Sequence, residues 1–261
     1  MKVKLENIKI KKILDNFSFP KNSIFFIHTD ISNYDIRSNN WFEKCKNLYS
    51  FFDDYFKSHT ILVPTFTPSF CKTKLFYKDR NPSEVGIFTE YFRNQKNVKR
   101  SNHPMFSVAG KGALIKPLTE NLSSSSTGDG SIFERLKVFD SYIIFFGSDF
   151  IESCTFLHYV EQFVKVNYRY SKYFNGKVVE KDKVHKGKWE FYVRNTEVFK
   201  FKELNRGSQI ERDLKKNKIL IEKKLGNLKI SYCSSRKLFD FVTKKILTNE
   251  SYILGAKPIK L

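Results

Sequence analysis

The run SCTFLHYVEQ, residues 153–162, sets His158 and Glu161 three residues apart. On a helix they share one face, one turn apart. A carboxylate so placed holds an imidazole in one tautomer and leaves its other nitrogen as a base. A satisfied histidine on a core helix fits the same letters, and the ten residues alone leave both readings open. Metal ligation by an H-x-x-E-H helix would require histidine where Gln162 stands. No G-x-S-x-G turn occurs to support a serine hydrolase.

Three other stretches carry polar groups suited to a ligand. HTDIS (28–32) closes an apolar run and offers backbone N–H groups and hydroxyls to a phosphate, or forms a turn satisfied by its own Thr29, Asp30 and Ser32. KRSNHPMFSVAGKG (99–112) gathers Lys99, Arg100, Ser101, His103, Ser107 and two glycines, a composition better suited to a phosphate- and amide-rich ligand than to a core. GDGS (128–131) is neither a dinucleotide fingerprint nor a P-loop. It reads as a generic anion turn or as a plain loop before a capped helix.

The positioning elements follow from periodicity. Residues 2–14 read as an amphipathic element, and 23–32 and 60–70 as strands, the second broken by Pro64 and Pro68. Between them 39–59 is a helix, opened by an Asn40/Glu43 capping box, with Trp41, Leu48, Phe52 and Tyr55 as its apolar stripe. Residues 71–112 are loop-rich around a helix at EVGIFTEYFRNQ, and the serine run at 123–131 is a flexible turn. A helix capped by Ser131 and Glu134, a strand at 141–149 and the helix carrying His158 complete an alternating α/β pattern through residue 165. From 166 the pattern becomes Tyr- and Lys-rich hairpins with Gly187 and Gly226 near turns, then a last helix at 235–247. The expected organisation is one domain over 1–261, an α/β cofactor-binding core (1–165) and a β-rich acceptor-side portion (166–261).

At 261 residues the chain is long enough for one sizeable core. No apolar run approaches the ~20 residues of a membrane span. The basic N-terminus lacks the apolar segment of a secretory signal. Cys45, Cys71, Cys154 and Cys233 form no CxxC pair, which leaves a disulfide framework or a thiolate zinc site without support. A cytoplasmic, metal-free protein is expected, with a homo-oligomer left open. The net charge of +20 fits nucleic acid, an anionic membrane surface or a polyanionic small molecule, and equally a surface of scattered solvated lysines.

Taken in order, FFIHTDIS, ILVPTFT, GIFTEYFRNQKNVKRSNHPMFSVAGKG, GDGSIFERL, IIFFGSDFIESCTFLHYVEQ and NYRYSKY resemble the aminoglycoside 3-N-acetyltransferase family of antibiotic N-acetyltransferases. The resemblance covers about residues 20–175, and the R-S-x-H-P element is its most specific part. It implies a three-layer α/β/α sandwich around a central mixed sheet, with acetyl-CoA as donor and a sugar amine as acceptor. By position it implies that Thr29, Asp30, Ile31 and Ser32 line the donor's pyrophosphate and pantetheine. Arg100, Ser101, His103, Ser107 and Val108 then shape the other side of that channel, and His158 and Glu161 are the catalytic pair. Asp30 replaces the family's usual serine, Ile132 its proline after Gly-Ser, and Cys154 and Phe156 alter the approach to His158.

The expected chemistry is direct transfer, His158 taking the amine proton and Glu161 stabilising the imidazolium. Backbone N–H groups near Thr65 or in the 100–110 loop would meet the oxyanion. Thr65, Cys154 and Phe156 are expected on the acceptor side, and Cys154 as an acyl carrier is the lesser route. A polycationic aminoglycoside suits a +20 chain poorly, so the charge favours a small-molecule nucleotide-linked amino sugar for polysaccharide assembly, with an aminoglycoside as the alternative. The rival of another class, a single-strand nucleic-acid-binding protein, has no role for the H-P loop or the HxxE helix.

Overall fold

The apolar runs at 24–27, 61–63 and 142–146 are unbroken because their strands are buried on both faces. Alternate residues enter two separate cores. Phe26, Leu62, Ile143 and Phe145 belong to one, and Phe25, Ile27, Ile61, Val63, Ile144 and Phe146 to the other. The computed structural model describes residues 2–34, 40–201 and 208–261.

Along the chain, α1 (Lys2–Asp15), β1 (Ile24–Thr29), α2 (Trp41–Tyr55) and β2 (Thr60–Pro64) come first. Then follow α3 (Phe70–Thr73), β3 (Leu75–Tyr77), α4 (Ile87–Arg93), β4 (Lys99–Arg100), β5 (Val108–Lys111), α5 (Ile115–Thr119) and α6 (Ile132–Val138). After β6 (Tyr142–Phe146) come α7 (Phe150–Ser153), α8 (Phe156–Val164), β7 (Arg169–Glu180), β8 (Lys183–Arg194) and β9 (Phe199–Lys200). The chain ends with α9 (Ser208–Lys216), β10 (Ile221–Leu225), β11 (Leu228–Ser234), α10 (Ser235–Thr248) and β12 (Ile259–Lys260). Residues 71–112 thus hold two helices and three strands, where the sequence suggests loops around one helix.

The central mixed sheet has the order β10-β11-β6-β1-β2-β5-β4. β1 pairs parallel with β2 and β6, and the remaining pairs are antiparallel. Residues of α1, α2 and α4 fill the core on one face, and residues of α5, α6, α8 and α10 the core on the other. This is the expected α/β/α sandwich. The chain leaves β1 toward β2 on one side and β6 lies on the other, so a crevice opens at the carboxyl ends of these strands.

Local chemistry sets the element ends. The Asn40 side chain accepts from the N–H groups of Phe42 and Glu43 and starts α2, which buries Leu48 and Phe52 but leaves Trp41 exposed. Gly147, at φ +71, ends β6 where a Cβ would lie 2.0 Å from the Asp30 carbonyl, so only glycine lets the loop after β1 close against β6.

In the C-terminal portion β7 and β8 join β3 in a three-stranded sheet, whereas β11 pairs onto β6 and extends the central sheet. Two expectations are corrected. Gly187 is not at a turn but faces Gly176 in mid-ribbon, and the chain reverses at Lys181 and Asp182. Glycine is needed at 176 because a Cβ there would lie 2.5 Å from the Phe70 ring. Nor is the serine run a flexible turn: Ser125, Ser126, Thr127 and Gly128 are buried, with Ser126 donating to the Glu190 carbonyl through N–H (3.0 Å) and Oγ (2.6 Å).

Candidate active site

α8 turns Glu161 into the protein, its side chain 1% exposed, while His158 stays 35% exposed one turn earlier. His158 Nδ1 and Glu161 Oε2 are 2.7 Å apart. Two neighbours from the start of β7 complete the cluster. Tyr168 Oη donates to Glu161 Oε1 at 2.8 Å, and Arg169 Nε lies 3.0 Å from Oε2. Burial pushes the Glu161 pKa up, but the hydrogen bond from His158, the Arg169 and His158 charges and the Tyr168 hydroxyl outweigh it and hold it at about 2.

An ionised carboxylate only accepts, so the imidazole proton sits on Nδ1 and Nε2 carries the lone pair. Arg169 Nη2, 3.1 Å from Nδ1, can only donate and finds no lone pair there. Its guanidinium is held by Glu161 and by the Tyr192 carbonyl, which accepts from Nη1 at 3.0 Å. Thr127 Oγ1 donates to Gln162 Oε1 at 2.6 Å, and Gln162 Nε2 donates to Glu190 Oε1 at 3.1 Å, tying α8 to the 123–131 loop and β8. Sequence reasoning missed Tyr168, Arg169, Gln162 and Glu190. The NYRY run was visible, but nothing local says that it returns to α8.

The loop after β1 behaves as one unit. Thr29, Asp30, Ile31 and Ser32 line a pocket of about 330 Å³ with Trp41, Gly86, Ile87 and Phe88. The Asp30 carboxylate folds back onto its own loop, accepting from the Ser32 N–H (2.9 Å) and Ser32 Oγ (2.5 Å). The charge that replaces serine thus forms an Asx turn.

The 99–112 segment is placed differently from the expectation that its side chains meet a ligand. Arg100, Ser101, His103, Ser107 and Val108 are all buried. Arg100 Nε donates to Ser107 Oγ (3.0 Å) and its Nη atoms donate to the carbonyls of Thr65, Lys78 and Asn81, while Phe76 covers the guanidinium. Ser101 and Val108 bond to each other through the Ser101 N–H (2.9 Å) and the Val108 N–H (3.0 Å to Oγ). His103 Nδ1 accepts from the N–H groups of Met105 and Phe106, and burial pulls its pKa down to about 4 against the opposing Ser124 backbone. The hairpin is a braced wall, and His103 braces it.

The acceptor-side expectations are corrected too. The Thr65 N–H donates to the Ser107 carbonyl at 2.9 Å and is not free for an oxyanion. Cys154 and Phe156 belong to the core, Phe156 against Phe133 and Tyr159, because the junction of α7 and α8 turns them inward. Burial pushes the Cys154 thiol up to about 12, which disfavours a thiolate nucleophile. Their neighbours Glu152, Ser153 and Thr155 instead line a cavity of about 170 Å³ with His28, Thr29, Pro64, Phe66, Val85 and Thr89, at the carboxyl ends of β1 and β2. The N–H of Gly130, an expected anion donor, meets the chain's own Glu134 carboxylate at 2.6 Å. Among the described residues no group of three or more His, Cys, Asp or Glu is placed to hold a metal ion, and no helix is long and apolar enough to cross a membrane.

Comparisons with known proteins agree with this architecture. The family model described as aminoglycoside 3-N-acetyltransferase matches residues 35–246. A Bacillus subtilis (strain 168) relative, the SPbeta prophage-derived aminoglycoside N(3')-acetyltransferase-like protein YokD, is 28% identical over 171 residues. That match spans 64% of this chain and 58% of the relative. The crystal structure of aminoglycoside acetyltransferase AAC(3)-Xa superposes with TM-score 0.77 at 16% identity, covering 95% of this chain and 93% of that one. AAC-IIIb in its binary complex with CoASH superposes at 0.74 and 13% identity, covering 93% and 96%. At these identities the structural likeness is one of fold; the family match extends over most of the sequence. The chain belongs to the aminoglycoside 3-N-acetyltransferase family.

Proposed function

We propose that this chain is an acetyl-CoA-dependent N-acetyltransferase acting on an amine of an aminoglycoside. The observation that carries the reading is the half-exposed His158 held through Nδ1 by a buried, ionised Glu161. An ammonium has no lone pair, so the acceptor must lose a proton as it attacks, and His158 Nε2 is placed to take it. The donor substrate's pantetheine arm fits the pocket lined by Thr29, Asp30, Ile31 and Ser32, which has the size of a small-ligand site. The amine nitrogen bonds to the thioester carbon, the C–S bond breaks, and the proton taken by His158 passes to the departing thiolate.

Net charge favours a nucleotide-linked amino sugar, but the local charge supports the antibiotic. The cavity at the ends of β1 and β2 is lined by Glu152 and, among the described residues, by no lysine or arginine. Much of the basic excess lies elsewhere, as on β7 and β8 with Lys172, Lys177, Lys183, Lys186 and Lys188. An acidic residue at such a cavity suits a polyamine better than a diphosphate. Two relatives of similar fold, AAC-VIa and AAC(3)-IVa, are described bound to sisomicin and in complex with apramycin. The test is release of free CoA thiol with a panel of aminoglycosides and nucleotide-linked amino sugars. Turnover is expected with the former; turnover confined to the latter would reverse the acceptor assignment.

A further inference from the structure

The oxyanion formed when an amine attacks a thioester needs hydrogen-bond donors. Five of the backbone donors near Thr65 and in the 100–110 loop are engaged. Thr65 N–H is bound to the Ser107 carbonyl, Ser101 N–H to the Val108 carbonyl, Val108 N–H to Ser101 Oγ, and the Met105 and Phe106 N–H groups to His103. Among the nine side-chain polar atoms buried without a hydrogen-bond partner in the described residues are His28 Nε2 and Thr29 Oγ1, neighbours at the end of β1. Each such atom costs about 1–3 kcal/mol if it stays unpaired, so two on adjacent residues at the end of β1 call for an explanation.

Their location supplies one. Both residues line the 170 Å³ cavity, and Thr29 also lines the 330 Å³ pocket, so it stands between the two. The reactive end of a pantetheine arm entering from the larger pocket would arrive beside His28. The imidazole is clamped, lying parallel to Phe145 at 5.4 Å and edge-on to Phe26 at 4.8 Å. Thr155, from the turn before His158, closes the same cavity.

We propose that His28 Nε2–H, assisted by the Thr29 hydroxyl, is the hydrogen-bond donor to the thioester carbonyl oxygen of the acetyl donor, a catalytic role distinct from that of the base His158. The proposal rests on the acetyltransferase reading. In the reaction, the carbonyl π pair moves onto the oxygen held by His28 as the C–N bond forms, and returns as the C–S bond breaks. Burial pulls the His28 pKa down to about 3, so at neutral pH the ring is uncharged and carries one proton to donate. Rings fixed in a water-excluded site reorganise little as charge develops, which is when such donors act most strongly.

The test is isotope-edited infrared spectroscopy of acetyl-CoA carrying ¹³C at the thioester carbonyl, with wild type, His28→Phe and Thr29→Val. The carbonyl stretch falls when the donor binds the wild type. It returns to the free-solution frequency in His28→Phe and part of the way in Thr29→Val. Turnover in His28→Phe falls about 10²–10³-fold, with recovery in His28→Asn, which restores a donor. Wild-type frequencies in both variants, with acetyl-CoA bound, overturn the assignment and leave the acetyltransferase reading intact. Failure of wild type to bind acetyl-CoA overturns both.

Discussion

Replacing Glu161 by Gln tests the cluster around α8 with almost no change of shape. In the wild type the carboxylate accepts from two groups, His158 Nδ1 and Tyr168 Oη, and is ion-paired with Arg169, whose Nε lies 3.0 Å from Oε2. An amide offers one oxygen and an NH₂ group, so one donor must face another and Arg169, its side chain 5% exposed, loses its buried counter-charge. Breaking a buried pair by removing one partner costs about 3–5 kcal/mol. The pKa gives the same scale: a fall from the ordinary 4.5 to about 2, at about 1.36 kcal/mol per pH unit, is worth about 3 kcal/mol. For a chain of this size that is a drop in Tm of roughly 6–12 °C. The sign with pH follows from the depressed pKa. This stability is fully present above about pH 4.5 and is lost as pH falls through about 2, so the wild type should weaken across that acid window and the variant should not share this component. If the amide NH₂ donates to Nδ1, the proton moves to Nε2 and the base is gone, so turnover should fall about 10²–10⁴-fold. The assays are thermal denaturation against pH and steady-state acetyl transfer. A variant within about 1 °C of wild type and within threefold in turnover would refute the reasoning.

Further outcomes follow from other parts of the site. Cys154→Ala should keep turnover within about threefold, and intact-mass spectrometry during turnover should find no acetylated enzyme, because a thiol buried up to about 12 is a poor nucleophile; a trapped acetyl-Cys154 would point to the covalent route. Gly147→Ala forces a Cβ onto the Asp30 carbonyl at a positive φ, and should cost at least 1–3 kcal/mol in urea unfolding while raising KM for acetyl-CoA through the displaced 30–32 loop. Arg169→Met leaves Glu161 buried with less charge compensation, and should lower stability by about 3–5 kcal/mol and raise the carboxylate pKa, read by NMR titration.

The layers of the fold were legible where one stretch of sequence meets the same environment throughout. Strands buried on both faces appear as unbroken apolar runs, and Asn40 announces α2 by a contact three residues long. What was illegible depends on partners remote in sequence. Nothing in LKISYCS says that β11 will lie beside β6, and the serine run looks mobile until Glu190 and Gln162 arrive to satisfy it. Gly187 misled because its role is mid-ribbon, opposite Gly176, while a lysine at φ 53 makes the turn. At the site the spacing of His158 and Glu161 was readable, whereas Arg169 and Tyr168 depend on the chain reversing after α8 at Lys165, another lysine at positive φ. Cys154 and Phe156 stood out as unusual letters beside a histidine, yet the α7–α8 junction turns them inward and presents Glu152, Ser153 and Thr155 instead.

The central claim is that His158 removes the acceptor's proton during acetyl transfer. Its most direct test is the single-turnover rate of wild type and His158→Asn at saturating acetyl-CoA and aminoglycoside, with the acetyl-CoA dissociation constant measured alongside. The account predicts a rate about 10²–10⁴-fold lower in the variant with donor affinity unchanged. Equal rates in the two proteins would contradict it.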